Sequence, residues 1–386
     1  MRVLKLIFKN ALRHKLRSFL TILGIAIAVM AFGILRTVVT AWYAGVEASA
    51  ANRMITRQAI SFIFPLPYAY KGQIEKLPGI DRLTFANWFQ GVYIDKNQFF
   101  ARLAVDADSW FDVYPEFIVP KEQFETFKRE RNSCIIGRDI ARNYNLKLGD
   151  VMQLEGDIYP GKWEFVVRGI YEPRDKSTDP TGMYFHWQYL DEQVRQDTPG
   201  RAGEVGWYIV RIKDASQSAV LAEQIDGLFK NSRAETKTET ERAFQQSFIA
   251  GTSTVLTALN VMSFVIIGII MLVLGNTMIM SARERTREYA VLKTLGFSAK
   301  HLVGLVVGES MFISFFGAGL GILLTIPAVE GFANAMPKGF FPIFFIEPLT
   351  YMLAVTAALL VGLAASIFPL QRALRTTIVD GLRFIG

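Results

Sequence analysis

The chain has 386 residues, room for two or three domains, and 51% of them are apolar, with 30 Phe. That composition excludes an ordinary soluble enzyme and indicates a membrane protein. The net charge of +7 sits beside the apolar runs, while acids slightly outnumber bases between 47 and 242. The charge therefore marks topology, and a basic groove for nucleic acid is excluded.

The N-terminal stretch "MRVLKLIFKNALRHKLR" is amphipathic. Arg2, Lys5, Lys9 and Arg13 follow helical spacing, opposite Leu4, Ile7, Phe8, Ala11 and Leu12. Residues 1–17 are expected to form a helix in the cytoplasmic headgroup layer. "SFLTILGIAIAVMAFGIL" then opens a first span over 18–43, with Trp42 and Tyr43 at the outer interface. A cleaved signal peptide is the competing reading, but its apolar region is usually only ~7–15 residues, shorter than Ser18–Leu35.

Residues 44–245 read as an α+β domain outside the membrane. "GVYIDKNQFFARLAV" is expected to be a hairpin turning near Asp95–Asn97. "CIIGRDIARNYNLKLGDVMQLEG" reads as strand, short helix, a turn at Gly149–Asp150, then strand. "KWEFVVRGIYEP" and "GWYIVRIKD" are strands by their β-branched and aromatic content. "SQSAVLAEQIDGLFKNS" is a helix with Val220, Leu221, Ile225 and Leu228 on its apolar side.

"GDIYPGKW" satisfies the glycine-lysine spacing of a phosphate loop, but Trp163 stands where Ser or Thr should follow, inside a strand, so a turn is expected. The carboxylate pairs Asp106/Asp108 and Glu122/Glu125 read as solvated surface charge. Cys134 is the only cysteine, which excludes an intrachain disulfide. His14, His186 and His301 lie far apart in sequence. No catalytic constellation and no metal site emerge.

Ala243–Ala282 carries no charged side chain. As one helix its forty residues would reach about 60 Å, twice the hydrocarbon thickness, so a stalk plus second span over 246–282 is expected. The span is best placed at Leu256–Met280.

"ARERTREYAVLKTLGFSAKHL" follows. Arg283/Arg287 and Glu284/Glu288 are i,i+4 pairs, and Tyr289, Leu292 and Leu295 form an apolar stripe. Gly296 can stop this helix in left-handed geometry and Ser298 can cap the next. The segment 283–300 is an amphipathic helix suited to docking a cytoplasmic protein.

Span three covers 301–328. Glu309 lies two turns inside it, where an unpaired carboxylate is costly, and a structural hydrogen-bonding role is expected. Gly304/Gly308 and Gly317/Gly321 give two small-x-x-x-small faces for helix packing. An outer loop (329–348), span four (349–371) and a basic tail (372–386) complete the chain. Lys and Arg concentrate before span one, after span two and after span four, so both termini are expected in the cytoplasm.

Segment 283–300 resembles the hallmark of the MacB/FtsX-like ABC transporter permeases, an "ERTREIGVLKALGAS"-like run after the second span. Glu284, Arg285, Thr286, Arg287, Glu288, Val291, Leu292, Lys293, Leu295, Gly296 and Ser298 match it. Tyr289–Ala290 departs from the usual Ile-Gly. "LRSFLTILGIAIAV", "GESMFISFFGAGLGILL", with Glu309 at the usual acidic position, and "PLQRALRTTIVDGLR" are similar to the family's first span, third span and C-terminal end. Ile378 and Gly381 replace a common proline and alanine in that last motif. "IIGRDIARNYNLKLGDVMQL" and "FVVRGIYEP" look like its periplasmic core.

The resemblance implies an α+β membrane protein, with four transmembrane helices and a large mixed α/β periplasmic domain between helices one and two. It implies a bacterial inner-membrane permease that pairs with a second permease, as homo- or heterodimer. Arg283, Glu284, Arg285, Arg287, Glu288, Leu292, Lys293, Leu295 and Gly296 would couple to a cytoplasmic ATPase dimer. That ATPase would be a separate chain, binding the ATP and Mg that this chain does not. Motion of the periplasmic domain would drive export or extraction of a lipid, lipoprotein or hydrophobic compound. A periplasmic adaptor, an outer-membrane channel and membrane lipids are further partners of such assemblies. The alternative is a signalling subunit controlling a cell-wall hydrolase.

Overall fold

The computed structural model describes residues 11, 13–96, 99–336, 341 and 343–375. Most of the expected amphipathic helix at 1–17 and of the tail at 372–386 lies outside them. The chain divides into two units, one of residues 1–40, 253–335 and 344–386, the other of 41–252 and 336–343.

The first unit is built on four apolar helices, Lys15–Ala48, Ser253–Glu284, Ala299–Ala335 and Pro348–Arg375. Each exceeds the ~20 residues that a bilayer crossing needs, and all four have the apolar composition of membrane spans. The charge-free stretch is two helices, in place of the one long helix expected: Glu241–Ala250 and Ser253–Glu284. At the break, the Thr252 amide and hydroxyl both donate to the Ile249 carbonyl at 2.9 Å. That i−3 pattern ends the α-helical ladder.

Small residues let the four helices meet. A methyl group added at Gly317 would lie 2.7 Å from Ile25 Cβ, and one at Gly321 2.6 Å from Val29 Cβ. Ile25 and Val29, one turn apart on span one, thus seat on the Gly317/Gly321 face of span three. The other expected face, Gly304/Gly308, needs correction. Gly304 is exposed, and a methyl there meets nothing within 4 Å. Gly308, one turn on, is half-buried. Gly304 therefore packs against no other helix among the described residues. Span four instead offers a row of alanines, Ala354, Ala358 and Ala365, with Val361, all buried against Ile270, Leu274, Met278 and Ile313.

The second unit is built on a sheet. Its first strands are β1 (Arg53–Gln58), β2 (Leu66–Pro67), β3 (Ile80–Trp88), β4 (Arg102–Val105), β5 (Phe117–Ile118) and β6 (Ser133–Gly137). They continue with β7 (Val151–Gly156), β8 (Gly161–Pro173), β9 (Met183–His186), β10 (Glu204–Val205), β11 (Trp207–Ile212) and β12 (Thr236–Thr240). A ten-stranded sheet runs β12-β1-β11-β3-β4-β9-β6-β8-β5, with β7 paired to β8. The short strands β2 and β10 pair apart from it. Alternate side chains fall on opposite faces of a strand. Met54, Phe85, Ile136, Phe185 and Tyr208 fill one core, while Ile55, Ala86, Ile135, Tyr184 and Ile209 fill the other. Both faces of the central strands are therefore covered, and β6 (SCIIG) and β9 (MYFH) are buried along their whole length, whereas the flanking strand β7 alternates buried and exposed residues.

The strand–helix–turn–strand reading of 134–156 matches β6, helix Arg138–Tyr144, Gly149 at φ 94° and β7. The phosphate-loop lookalike is the β7–β8 turn, with Gly156 opposite Gly161. Three expectations for this unit need correction. The chain does reverse around Asp95, between the antiparallel strands β3 and β4, but the incoming strand is β3 and not the expected 91–94, where Val92 bridges Glu155 instead. In helix Ser218–Leu228 only Leu221 and Ile225 are buried, whereas Val220 and Leu228 point outward. Asp106 is not a surface charge: it is buried, with Lys71 Nζ at 2.8 Å and Ser109 Oγ donating at 2.9 Å.

Candidate functional site

The segment after span two is a second, shorter helix, Thr286–Thr294. The hydrogen-bond ladder passes through Arg285 almost unbroken, from the Arg285 amide to Ser281 O (3.2 Å) and the Tyr289 amide to Arg285 O (3.0 Å). The Thr286 hydroxyl also donates to Arg283 O at 2.9 Å. Gly296 adopts φ 84°, the left-handed stop expected of it. The Ser298 hydroxyl pairs with His301 Nδ1 at 2.8 Å, and Ser298 O accepts the His301 amide as the next helix begins.

The inner side of this helix is fixed. Tyr289 is buried with Ala282, Leu302 and Val306, and Leu292 and Leu370 pack on that cluster. Beside it, Arg285 Nη1 donates to Glu309 Oε2 at 2.5 Å, and Ser281 Oγ to Glu309 Oε1 at 3.3 Å. Ser281 and Arg285 are one turn apart, so both reach the same carboxylate. Glu309 is thus hydrogen-bonded within the chain, and its charged partner is an arginine. The expected docking surface loses Arg285, which is buried. Lys293 Nζ donates to Leu374 O at 3.0 Å.

The acids of the segment are also engaged within the chain. Arg17 grips Glu284 through both guanidinium nitrogens, at 2.6 and 2.8 Å. His14 lies 3.5 Å from Glu284, and Arg13 pairs with Glu288. In the sequence these partners carry only a topology signal, and nothing in their spacing announces the pairing.

What remains open is a straight i,i+4 row of Arg283, Arg287, Val291 and Leu295. Both arginines are exposed, Val291 is 42% exposed, Leu295 70% and neighbouring Phe297 41%. The expected stripe Tyr289–Leu292–Leu295 is split. An i,i+3,i+6 row drifts by about 60° per step on a 3.6-residue helix. Leu295 therefore ends on the outer side, while Tyr289 faces in. A cationic, partly apolar ridge on a rigidly held helix can bind a protein groove that carries acids and apolar side chains.

Four membrane-grade helices, an α/β domain inserted after the first, and a pinned amphipathic helix after the second make the layout of a membrane permease. Residues 18–228, more than half the chain, match the MacB-like periplasmic core domain, and 260–378 match the FtsX-like permease C-terminal domain. The chain belongs to the MacB/FtsX-like family of ABC transporter permeases. An uncharacterized ABC transporter permease of Methanocaldococcus jannaschii is 24% identical over 358 residues, 85% of this chain and 84% of that protein. An uncharacterized permease of Mycobacterium tuberculosis is 22% identical over 268 residues, 67% of this chain but only 29% of that protein. The extracellular domain of the noncanonic ABC-type transporter YknZ from Gram-positive bacteria aligns with 49% of this chain, over its own full length, at 11% identity and a TM-score of 0.36.

Proposed function

We propose that this permease subunit works with a separate cytoplasmic ATPase, which docks on the ridge Arg283–Arg287–Val291–Leu295. The carrying observation is the division of the helix. Its inner side is locked to spans two and three by Tyr289, Leu292 and the Arg285–Glu309 pair, and its outer side is open. A rigid lever with one free face transmits force, whereas a flexible loop would absorb it. The ATPase binds ATP and Mg, and the permease pairs with a second permease. The termini and this helix lie in the cytoplasm, following the distribution of Lys and Arg.

The transported species is a lipid, a lipoprotein or a hydrophobic compound handled at the outer face. Lipid that co-purifies with the complex supports this, and a bound cell-wall hydrolase would support signalling instead. The docking itself is tested with Leu295→Asp. Affinity purification of the variant should lose the ATPase while the permease stays folded; stoichiometric recovery of the ATPase overturns the reading.

A further inference from the structure

Span two is the least enclosed of the four. Within its most apolar stretch 17% is buried, against 39% in each of the other spans. Ile270, Leu274 and Met278 form its inner side, packed in the bundle. On the opposite side Met262, Val265, Ile269, Leu272 and Asn276 are exposed and Ile279 is half-buried. These six stand three, four, three, four and three residues apart. That alternation is a heptad seam, which keeps to one face of a supercoiled helix.

Asn276 is the exception on this face. The other polar side chains between 261 and 280 are satisfied within their own helix, Ser263 donating to Leu259 O at 3.0 Å and Thr277 to Val273 O at 2.9 Å. Asn276 makes no side-chain hydrogen bond among the described residues. It precedes Arg283 by two turns, about 10 Å along the helix, and so lies inside the apolar layer. Lipid chains offer an amide no partner, and an unsatisfied polar group there is costly. Another helix can supply the partner.

Chemistry and symmetry select that helix. A carboxamide both donates and accepts, so it complements itself. Two copies of one membrane chain share an orientation, and about a two-fold axis each residue meets its counterpart. Asn276 then meets the partner's Asn276 at the same depth. Met262, Ile269 and Asn276 take the a positions of the seam, and Val265, Leu272 and Ile279 the d positions. Ile at a with Leu at d favours two strands, and a single Asn at a fixes the register. Gly268 and Gly275 stand beside Ile269 and Asn276, with nothing within 4 Å of an added methyl, so two backbones can close on each other. The next residue in phase, Arg283, would repel its counterpart, so the seam ends before the docking ridge.

We propose that span two pairs in parallel with span two of a second copy of this chain, along Met262–Ile279, with the two Asn276 amides hydrogen-bonded to each other. The assignment rests on the pairing of permeases and goes further, in naming the surface and in making both partners copies of this chain.

The test is oxidative cross-linking of the full chain in its membrane, with wild type, whose one cysteine is buried, as the blank. Val265→Cys and Leu272→Cys should each give a covalent dimer. Phe264→Cys and Met271→Cys, exposed but off the seam, should not. No cross-link at Val265 and Leu272, or an equal one at Phe264 and Met271, overturns the seam. Asn276→Leu should lower cross-linking at Leu272 about fivefold, and Asn276→Gln should keep most of it; unchanged cross-linking with Asn276→Leu overturns the amide pair. Two differently tagged copies of the wild-type chain separate the two readings. If one copy retrieves the other but the seam does not cross-link, the surface is wrong and the pairing of permeases stands. If neither copy retrieves the other, the second copy is wrong as partner, and only pairing with a different permease is left.

Discussion

Arg285 and Glu309 form a buried ion pair, 2.5 Å apart, with each side chain only 9% exposed. It ties the start of the short helix to the third span. Removing one member of a buried pair strands the other charge, a loss of about 3–5 kcal/mol, whereas replacing both with apolar side chains is far milder. Glu309→Ala and Arg285→Ala should each lower the unfolding temperature sharply, and Arg285→Met/Glu309→Leu should recover most of it. The double-mutant cycle, read by thermal unfolding, checks this. Additive losses would show that the two side chains act independently.

Leu292 and Leu295 should separate stability from docking. Leu292 packs on the Tyr289–Leu302–Val306 cluster, and Leu295 is 70% exposed. Leu292→Asp should destabilise the permease, because it places a charge against an apolar cluster. Leu295→Asp should leave unfolding within about 0.5 kcal/mol of wild type, as for other surface changes. Paired stability and co-purification measurements distinguish the two; ATPase loss from both variants at equal stability would remove the distinction.

Gly317 and Gly321 should tolerate nothing larger, and Gly304 should. Leucine at Gly321 must displace Val29, and overpacking of this kind costs about 1–3 kcal/mol. Gly304→Ala meets open space, so no such cost is expected. Unfolding temperatures of Gly321→Leu and Gly304→Ala in one detergent check the contrast.

The surface pairs Arg17–Glu284 and Arg13–Glu288 should matter little to stability. Exposed ion pairs contribute about 0–1 kcal/mol and are screened by salt. Arg13→Ala/Arg17→Ala should therefore shift unfolding by at most about 1 kcal/mol per pair, and less in high salt. A large, salt-insensitive loss would show that these residues hold the helix in place.

Topology can be read without building a cysteine-free background. Cys134 is buried, and burial pushes its thiol pKa up, so it stays an unreactive thiol. Single cysteines at the exposed positions Asp150 and Leu295 should label from opposite sides of the membrane, Asp150 from outside. The reverse labelling would overturn the orientation read from charge.

Composition and periodicity determined a great deal here. Span length follows from the bilayer's thickness, and uninterrupted apolar runs are visible without any fold. Strand alternation and left-handed glycines are likewise local, so β6 to β8 and the stop at Gly296 were legible. The tertiary structure decided everything that joins distant residues. Arg285 and Glu309 are 24 positions apart, Arg17 and Glu284 far more, and no local pattern states that they meet. Two glycine pairs with the same spacing stand on span three, yet Gly317 and Gly321 meet span one whereas Gly304 faces open space. The same holds for the outward face of the short helix. The repeat in the sequence shows that an apolar stripe exists, but helical drift and the neighbouring spans determine which residues the core takes. Local backbone preference is written along the chain, whereas burial and charge pairing are set by which distant segments fold against each other.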